Sequence, residues 1–260
     1  MQNFLIPSGE VHLWLCELGD AIPPDLHDKC EKLLSPDEVA RMERFYFEKH
    51  RSHFLISHAF LRIVLSRYQG CSPASIAYSF NEYGKPFLQA DAGQSGISFN
   101  LSHTDGLACC AIAKDGDVGV DVECLDRLTK GDEIGKQFFA PEEFADMMAI
   151  DNEETRKERF LHLWLLKEAF IKAKGTGLSL PLDLFCFNFP GYGEIGVSFA
   201  PRLAESPEDW HFRLFHTTEN HRAAIACKQA SSHPDAPRHK TFRIFSFCID
   251  EDALSPKAAS

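Results

Sequence analysis

No stretch of this chain approaches the roughly 20 consecutive apolar residues that a membrane-spanning helix needs, although 44% of its 260 residues are hydrophobic. A span is excluded, and the apolar residues are left to build a soluble core. C-x-x-C pairs are missing as well. The nine cysteines are odd in number and scattered, which fits no disulfide framework, and no zinc site is expected. Reduced thiols in the cytoplasm are expected instead. Cys109 and Cys110 are adjacent in an apolar run, where a strand turns them to opposite faces. The first ten residues carry no basic cluster and almost no apolar stretch, so no secretory leader is expected. Positive charge is also scarce: 27 basic residues face 38 acidic ones, a net charge of −11. General nucleic-acid binding is not expected of such a chain. A phosphate-rich ligand would have to be held by a metal ion or a few focused cations.

What is present reads as mixed α and β structure. Strands are expected at 11–15, 97–101, 107–113, 118–123, 185–189, 195–199, 210–216 and 222–228. Helices are expected at 25–34, from Pro36 onward, at 52–68, 141–149 and 154–173. Ser35-Pro36-Asp37-Glu38 is a helix start with Ser as cap, Pro in the first turn and acids beside it. That start recurs at Ala140-Pro141-Glu142-Glu143. Phe54-Leu55 then matches Phe160-Leu161, Ala59-Phe60-Leu61-Arg62 matches Ala169-Phe170-Ile171-Lys172, and His103-Thr104 matches His216-Thr217. Landmarks in one order at similar spacing indicate an internal duplication. The expected fold is α+β, as two similar halves at 1–115 and 116–228 with a site between them. Residues 229–260, richer in Ser, Pro and Ala, are expected to be a loosely attached tail.

Gly119-Val120-Asp121-Val122-Glu123 ends a strand, and a period of two puts Asp121 and Glu123 on one face. Two carboxylates together repel unless a cation joins them, and hard oxygens suit Mg²⁺. A solvated strand end accounts for the pair as well. Leu161 to Ile171 is apolar nearly all round, so Lys167, Glu168 and Lys172 are carried into dry surroundings where charges need partners. Glu168 and Lys172, one turn apart, either pair with each other or complete an acidic metal site facing a phosphate. Ser102-His103 lies at a strand end without the G-x-S-x-G context of a serine nucleophile.

In order, Tyr83-Gly84-Lys85-Pro86, Phe99-Asn100-Leu101-Ser102-His103, Gly119-Val120-Asp121-Val122-Glu123 and Trp164-Leu165-Leu166-Lys167-Glu168-Ala169-Phe170-Ile171-Lys172 resemble the 4′-phosphopantetheinyl transferases of the surfactin-synthetase-activating (Sfp) type. The resemblance runs from about Leu33 to Leu184, and more weakly to Cys227. It implies transfer of the phosphopantetheine arm of coenzyme A to a serine of an apo carrier protein of fatty-acid, polyketide or nonribosomal peptide synthesis, releasing adenosine 3′,5′-bisphosphate. It implies Mg²⁺ on Asp121, Glu123 and Glu168, and a phosphate bound by Lys172 with Lys167 nearby. Ser102 and His103 would meet the nucleotide's phosphates, and Gly84, Lys85 and Pro86 would border the adenine. Glu168 and Lys172 are the catalytic candidates.

Members of that family often carry basic residues where this chain has Glu38, Arg41, Arg51 and His53. Arg41, Arg51 and His53 are the candidates for the 3′-phosphate. Glu38 is expected to weaken that site by opposing Arg41. Duplication within one chain leads to the expectation of a monomer. Two rivals remain: a Mg²⁺-dependent hydrolase of coenzyme A or a related nucleotide, and a non-catalytic homologue that only binds coenzyme A or carriers.

Overall fold

The computed structural model describes residues 4–19, 22–89, 96–114, 116–127, 131–191, 193–229 and 240–249. The chain opens with β1 (Glu10–Glu17), whose alternation sends Val11 and Leu13 to one face and Trp14 and Cys16 to the other. Helices α1 (Pro24–Glu31), α2 (Pro36–Glu43) and α3 (Glu48–Gln69) follow, then a short hairpin, β2 (Tyr78–Phe80) and β3 (Pro86–Leu88). Strands β4 (Ile97–Thr104) and β5 (Leu107–Lys114) close the first half. The second half repeats the plan with β6 (Val118–Cys124), α4 (Gly131–Phe138), α5 (Pro141–Met148) and α6 (Glu153–Lys174). A hairpin of β7 (Phe185–Asn188) and β8 (Gly196–Phe199) leads to β9 (Trp210–His216) and β10 (His221–Lys228).

The two sheets have one topology. β5 lies between β1 and β4, and β10 lies between β6 and β9, all antiparallel. The result is two similar α+β halves. One face of the first sheet packs under α3 through Trp14, Phe60, Val64, Cys110 and Ile112. Its other face meets the second sheet through Leu13, Cys109, Ala111, Val120, Val122 and Ile225. Cys109 and Cys110 thus face opposite ways, and all nine cysteines are free thiols. The far face of the second sheet, with Ala224 and Ala226, packs under α6. The layers run helix, sheet, sheet, helix.

The register of the repeat differs from the sequence expectation. Pro36 corresponds to Pro141, Glu48 to Glu153, and Gly70 to Gly175, each a displacement of 105 residues. Both glycines adopt positive φ (64° and 67°) and accept the helix end without Cβ strain. Arg62 therefore corresponds to Lys167, not to Lys172. Helices that are apolar nearly all round repeat similar tetrapeptides at several registers, whereas the caps fix one.

This register corrects the expectation for Glu38. Its carboxylate is buried, accepting from Arg62 Nε at 2.8 Å and lying 2.6 Å from Arg62 NH2, with His58 Nδ1 at 3.1 Å. It also closes the capping box, accepting from the Ser35 amide at 2.8 Å. Glu38 holds α2 to α3 and does not oppose Arg41. Burial raises its carboxyl, but the bonds from His58, Arg62 and the Ser35 amide outweigh it and hold the pKa at about 2. Its contribution to stability is full above the ordinary value of 4.5 and is lost as pH falls from there toward 2. Glu38→Gln is expected to cost about 3 kcal/mol at neutral pH. Urea midpoints at pH 7 and pH 3 should lie closer together in the variant than in the native chain.

The tail expectation is also corrected in part. β11 (Thr241–Phe247) pairs in parallel with β1, from Glu10 opposite Thr241 to Cys16 opposite Phe247. Phe245 stacks on Trp14 with centroids 4.5 Å apart. This apolar strand covers the β1 edge, which would otherwise expose its hydrogen-bonding groups. The rest of the expected tail, at 230–239 and 250–260, lies outside the described residues. Among the described residues no helix is long and apolar enough to cross a membrane.

Candidate active site

β4 and β6 lie side by side where the two sheets meet, joined through side chains. Asn100 Oδ1 accepts from the Val120 amide at 2.9 Å, Ser102 Oγ donates to Asp121 Oδ1 at 2.8 Å, and Thr104 Oγ1 donates to Glu123 Oε2 at 2.9 Å. Positions 100, 102 and 104 share one strand face by the period of two, and all three are buried. The sequence reading missed Asn100 and Thr104. Their signal was available in the alternation of Asn, Ser and Thr along one strand.

α6 brings the remaining groups. Gly119 permits the approach: a Cβ there would sit 2.1 Å from the Ala169 carbonyl oxygen and 2.4 Å from the Ala173 amide nitrogen. With the helix that close, Lys172 Nζ donates to Asp121 Oδ1 at 2.5 Å and to Ser102 Oγ at 2.9 Å. Glu168 lies one turn earlier on α6. Burial first, then the negative charges of Asp121 and Glu123, push its carboxyl up to about 7, with Lys172 opposing. The structure thus brings together Ser102, Asp121, Glu123, Glu168 and Lys172.

The same five residues bear on a metal. The oxygens of Asp121, Glu123 and Glu168 do not all lie within 4.8 Å of one another, since Lys172 and Ser102 engage Asp121 and Thr104 engages Glu123. The donor set nevertheless suits Mg²⁺. It is all hard oxygen, carried by three carboxylates on two facing elements.

Lys167 is placed elsewhere. Its ammonium is fully buried in the second half, 2.8 Å from Glu143 Oε2 and donating to the carbonyls of Leu182 at 2.7 Å and Phe185 at 2.8 Å. It does not face a phosphate, because i and i+5 on a helix point to different sides. The pair is the counterpart of Glu38 and Arg62. Lys167→Ala leaves Glu143 buried and uncompensated, so a loss of about 3–5 kcal/mol in stability is expected. Urea unfolding will show that loss, and the Lys172 contacts to Asp121 and Ser102 should stay in place.

The turn carrying Gly84, Lys85 and Pro86 docks on the C-terminal end of α6. Asn81 Nδ2 donates to the Gly175 carbonyl at 2.7 Å, and Lys85 Nζ donates to the Ala173 carbonyl and lies 3.4 Å from Asp117 Oδ1. A cation at a helix C-terminus satisfies its last carbonyls and its dipole. The Lys85 ammonium is therefore engaged by protein, while Gly84 is exposed and Pro86 half-buried.

His103 is exposed on the face of β4 shared with Phe99 and Leu101, which pack on the α3 side. His53, near the start of α3, is buried with Nδ1 3.8 Å from Asp105 Oδ1, just beyond the end of β4. Arg51 donates to the Phe45 carbonyl at 3.0 Å, and the exposed Arg41 lies 5.6 Å from the Phe54 ring centroid. Phe45 and Phe54 are themselves in contact, with centroids 5.6 Å apart. Arg41 and Arg51 therefore share one neighbourhood.

Residues 117–226 match the 4′-phosphopantetheinyl transferase superfamily, and residues 24–115 match the N-terminal part of a 4′-phosphopantetheinyl transferase. The chain is 37% identical over 177 residues to the 4′-phosphopantetheinyl transferase HetI of Nostoc sp., covering 68% of this chain and 73% of the relative. It is 30% identical over 217 residues to the 4′-phosphopantetheinyl transferase Sfp of Bacillus subtilis, covering 83% of this chain and 89% of the relative. A mammalian relative, the L-aminoadipate-semialdehyde dehydrogenase-phosphopantetheinyl transferase of Homo sapiens, is 27% identical over 253 residues, covering 91% of this chain and 79% of the relative. Matches that span both halves at this identity are decisive: the chain belongs to the 4′-phosphopantetheinyl transferase superfamily and is an enzyme of that family.

Proposed function

We propose that this enzyme transfers the 4′-phosphopantetheine arm of coenzyme A to a serine of an apo carrier protein, acyl, peptidyl or aryl, and releases adenosine 3′,5′-bisphosphate. The observation that supports it most is the Lys172 ammonium, held between Asp121 and Ser102 at the rim of an acidic cluster. Such an arrangement suits a pyrophosphate bound to a divalent cation better than it suits a neutral substrate. Asp121, Glu123 and Glu168 would hold Mg²⁺, which when bound neutralises phosphate oxygens and so favours attack by an oxygen nucleophile.

The protein's own groups then divide the work. Lys172 neutralises oxygen on the attacked phosphate or its neighbour, and Ser102 fixes Lys172 in place. The carrier serine oxygen forms a bond to the β-phosphorus, and the bond from that phosphorus to the bridging oxygen breaks. The electron pair leaves with adenosine 3′,5′-bisphosphate. Glu168 accepts the serine proton, directly or through water, once positive charge nearby holds it ionised. His103 contacts nucleotide phosphate from the exposed side of β4, and Gly84, Lys85 and Pro86 border the adenine through backbone and apolar surface. Arg41, Arg51 and His53 hold the 3′-phosphate, with no opposition from Glu38.

The enzyme works as a monomer in the cytoplasm, where nine free thiols stay reduced. Its boundary between halves falls near residue 115. The test is product analysis with Mg²⁺ and coenzyme A. Adenosine 3′,5′-bisphosphate should appear in step with added apo carrier and not without it. Release that ignores the carrier would instead identify a hydrolase.

A further inference from the structure

Toward the other end of α6, three side chains that the transfer chemistry does not use come together. Glu158 and His162 are one turn apart on that helix, and His216 ends β9. One ligand atom from each lies within 4.8 Å of the others. His162 Nε2 faces Glu158 Oε1 at 3.8 Å, too long for a hydrogen bond. That nitrogen is buried and makes no hydrogen bond among the described residues. The gap is close to the roughly 3.3 Å between two ligands bound about 2.0–2.1 Å from one tetrahedral ion.

We infer that Glu158, His162 and His216 form a binding site for a zinc-class divalent cation that clips α6 to β9. Two imidazoles and one carboxylate suit Zn²⁺ or Co²⁺ and not Mg²⁺, which prefers oxygen alone. Burial foremost holds the His162 imidazole at a pKa of about 4, with His216, Arg222 and Arg159 adding to the lowering and Glu158 opposing. The ring is therefore neutral at pH 7, with one of its two nitrogens free to act as a ligand. His162 and His216 also line a cavity of about 1120 Å³, which gives the ion an entry path and a solvent ligand. Arg222 is the competing cation, with Nε 3.4 Å from Glu158 Oε1. Its NH1 is held by the carbonyls of Thr218, Glu219 and His221, and a carboxylate has two oxygens with which to serve both. A second group, His27, Asp28 and Glu31, lies within a single helix, so a cation there would join no two elements.

Ten residues, or about 15 Å of helix, separate His162 from Lys172, so the two sites are distinguishable by substitution. The test uses the full chain stripped with a chelator and dialysed against Zn²⁺ in excess Mg²⁺, followed by metal analysis. Native protein and Asp121→Asn should each retain about one zinc per chain and show a Co²⁺ visible spectrum of four-coordinate type. His216→Ala and Glu158→Gln should weaken Zn²⁺ binding at least about tenfold. His216 is exposed, so its substitution leaves the fold intact. Unchanged uptake in His216→Ala, loss of all uptake in Asp121→Asn, or no uptake by the native chain would each overturn the assignment.

Discussion

Replacing Asp121 by alanine is expected to slow carrier modification by about 10²–10³-fold, the scale of losing one key electrostatic stabiliser, while the fold stands. Asp121 Oδ1 accepts from both Ser102 and Lys172. Its removal releases the lysine from its position and takes away one of the three proposed metal ligands. It also removes a charge that crowds Glu168, so the Glu168 carboxyl should titrate lower in the variant. Relief of that repulsion offsets the lost hydrogen bonds, and Lys172, partly exposed, regains water. Thermal unfolding should therefore stay within a few degrees of the native chain. Near-native turnover at low Mg²⁺ would remove Asp121 from the chemistry.

A joint loss of stability and activity is expected at Gly119. A side chain there meets two backbone atoms of α6 at 2.1 and 2.4 Å, and backbone cannot rotate out of the way. Either the helix lifts from β6 or the strand bends, and overpacking of this kind costs about 3 kcal/mol. Lifting α6 also carries Glu168 and Lys172 away from Asp121. Gly119→Val should therefore lose stability and activity together, in contrast to Asp121→Ala, which loses activity alone. Urea unfolding beside turnover on the soluble fraction will separate the two. Native stability in Gly119→Val would mean that α6 has room to retreat.

Much of this was legible in the chain itself. Asp121, Glu123, Glu168 and Lys172 stood out because strand period and helix period each put acids or cations where they need partners. The two-half plan followed from helix starts that are fixed by local chemistry, Ser35-Pro36 and Ala140-Pro141. Register within the long helices was not legible. An apolar helix buried all round offers no amphipathic stripe to align, and Lys167 looked as well placed for phosphate as Lys172. Only the facing partners separate them: Glu143 for one, Asp121 and Ser102 for the other. Glu38 was misread for the same reason, since its partner Arg62 lies 24 positions on and a full helix away. The role of Gly119 was hidden because a close approach involves the backbone of a distant element, of which the motif bears no trace. β11 was missed because a parallel edge strand is paired by the whole fold and has no turn to announce it.

The central claim, that this site moves a phosphopantetheine arm onto a carrier serine, is tested most directly by intact-mass spectrometry of an apo carrier protein after incubation with enzyme, coenzyme A and Mg²⁺. The account predicts that the native enzyme adds the mass of one arm to the carrier, that a carrier with its acceptor serine replaced by alanine gains nothing, and that Asp121→Ala adds the arm at a small fraction of the native rate. An unmodified carrier in the presence of consumed coenzyme A would contradict it and make the chain a hydrolase. An unmodified carrier with coenzyme A intact would contradict it too, and leave a protein that binds without reacting.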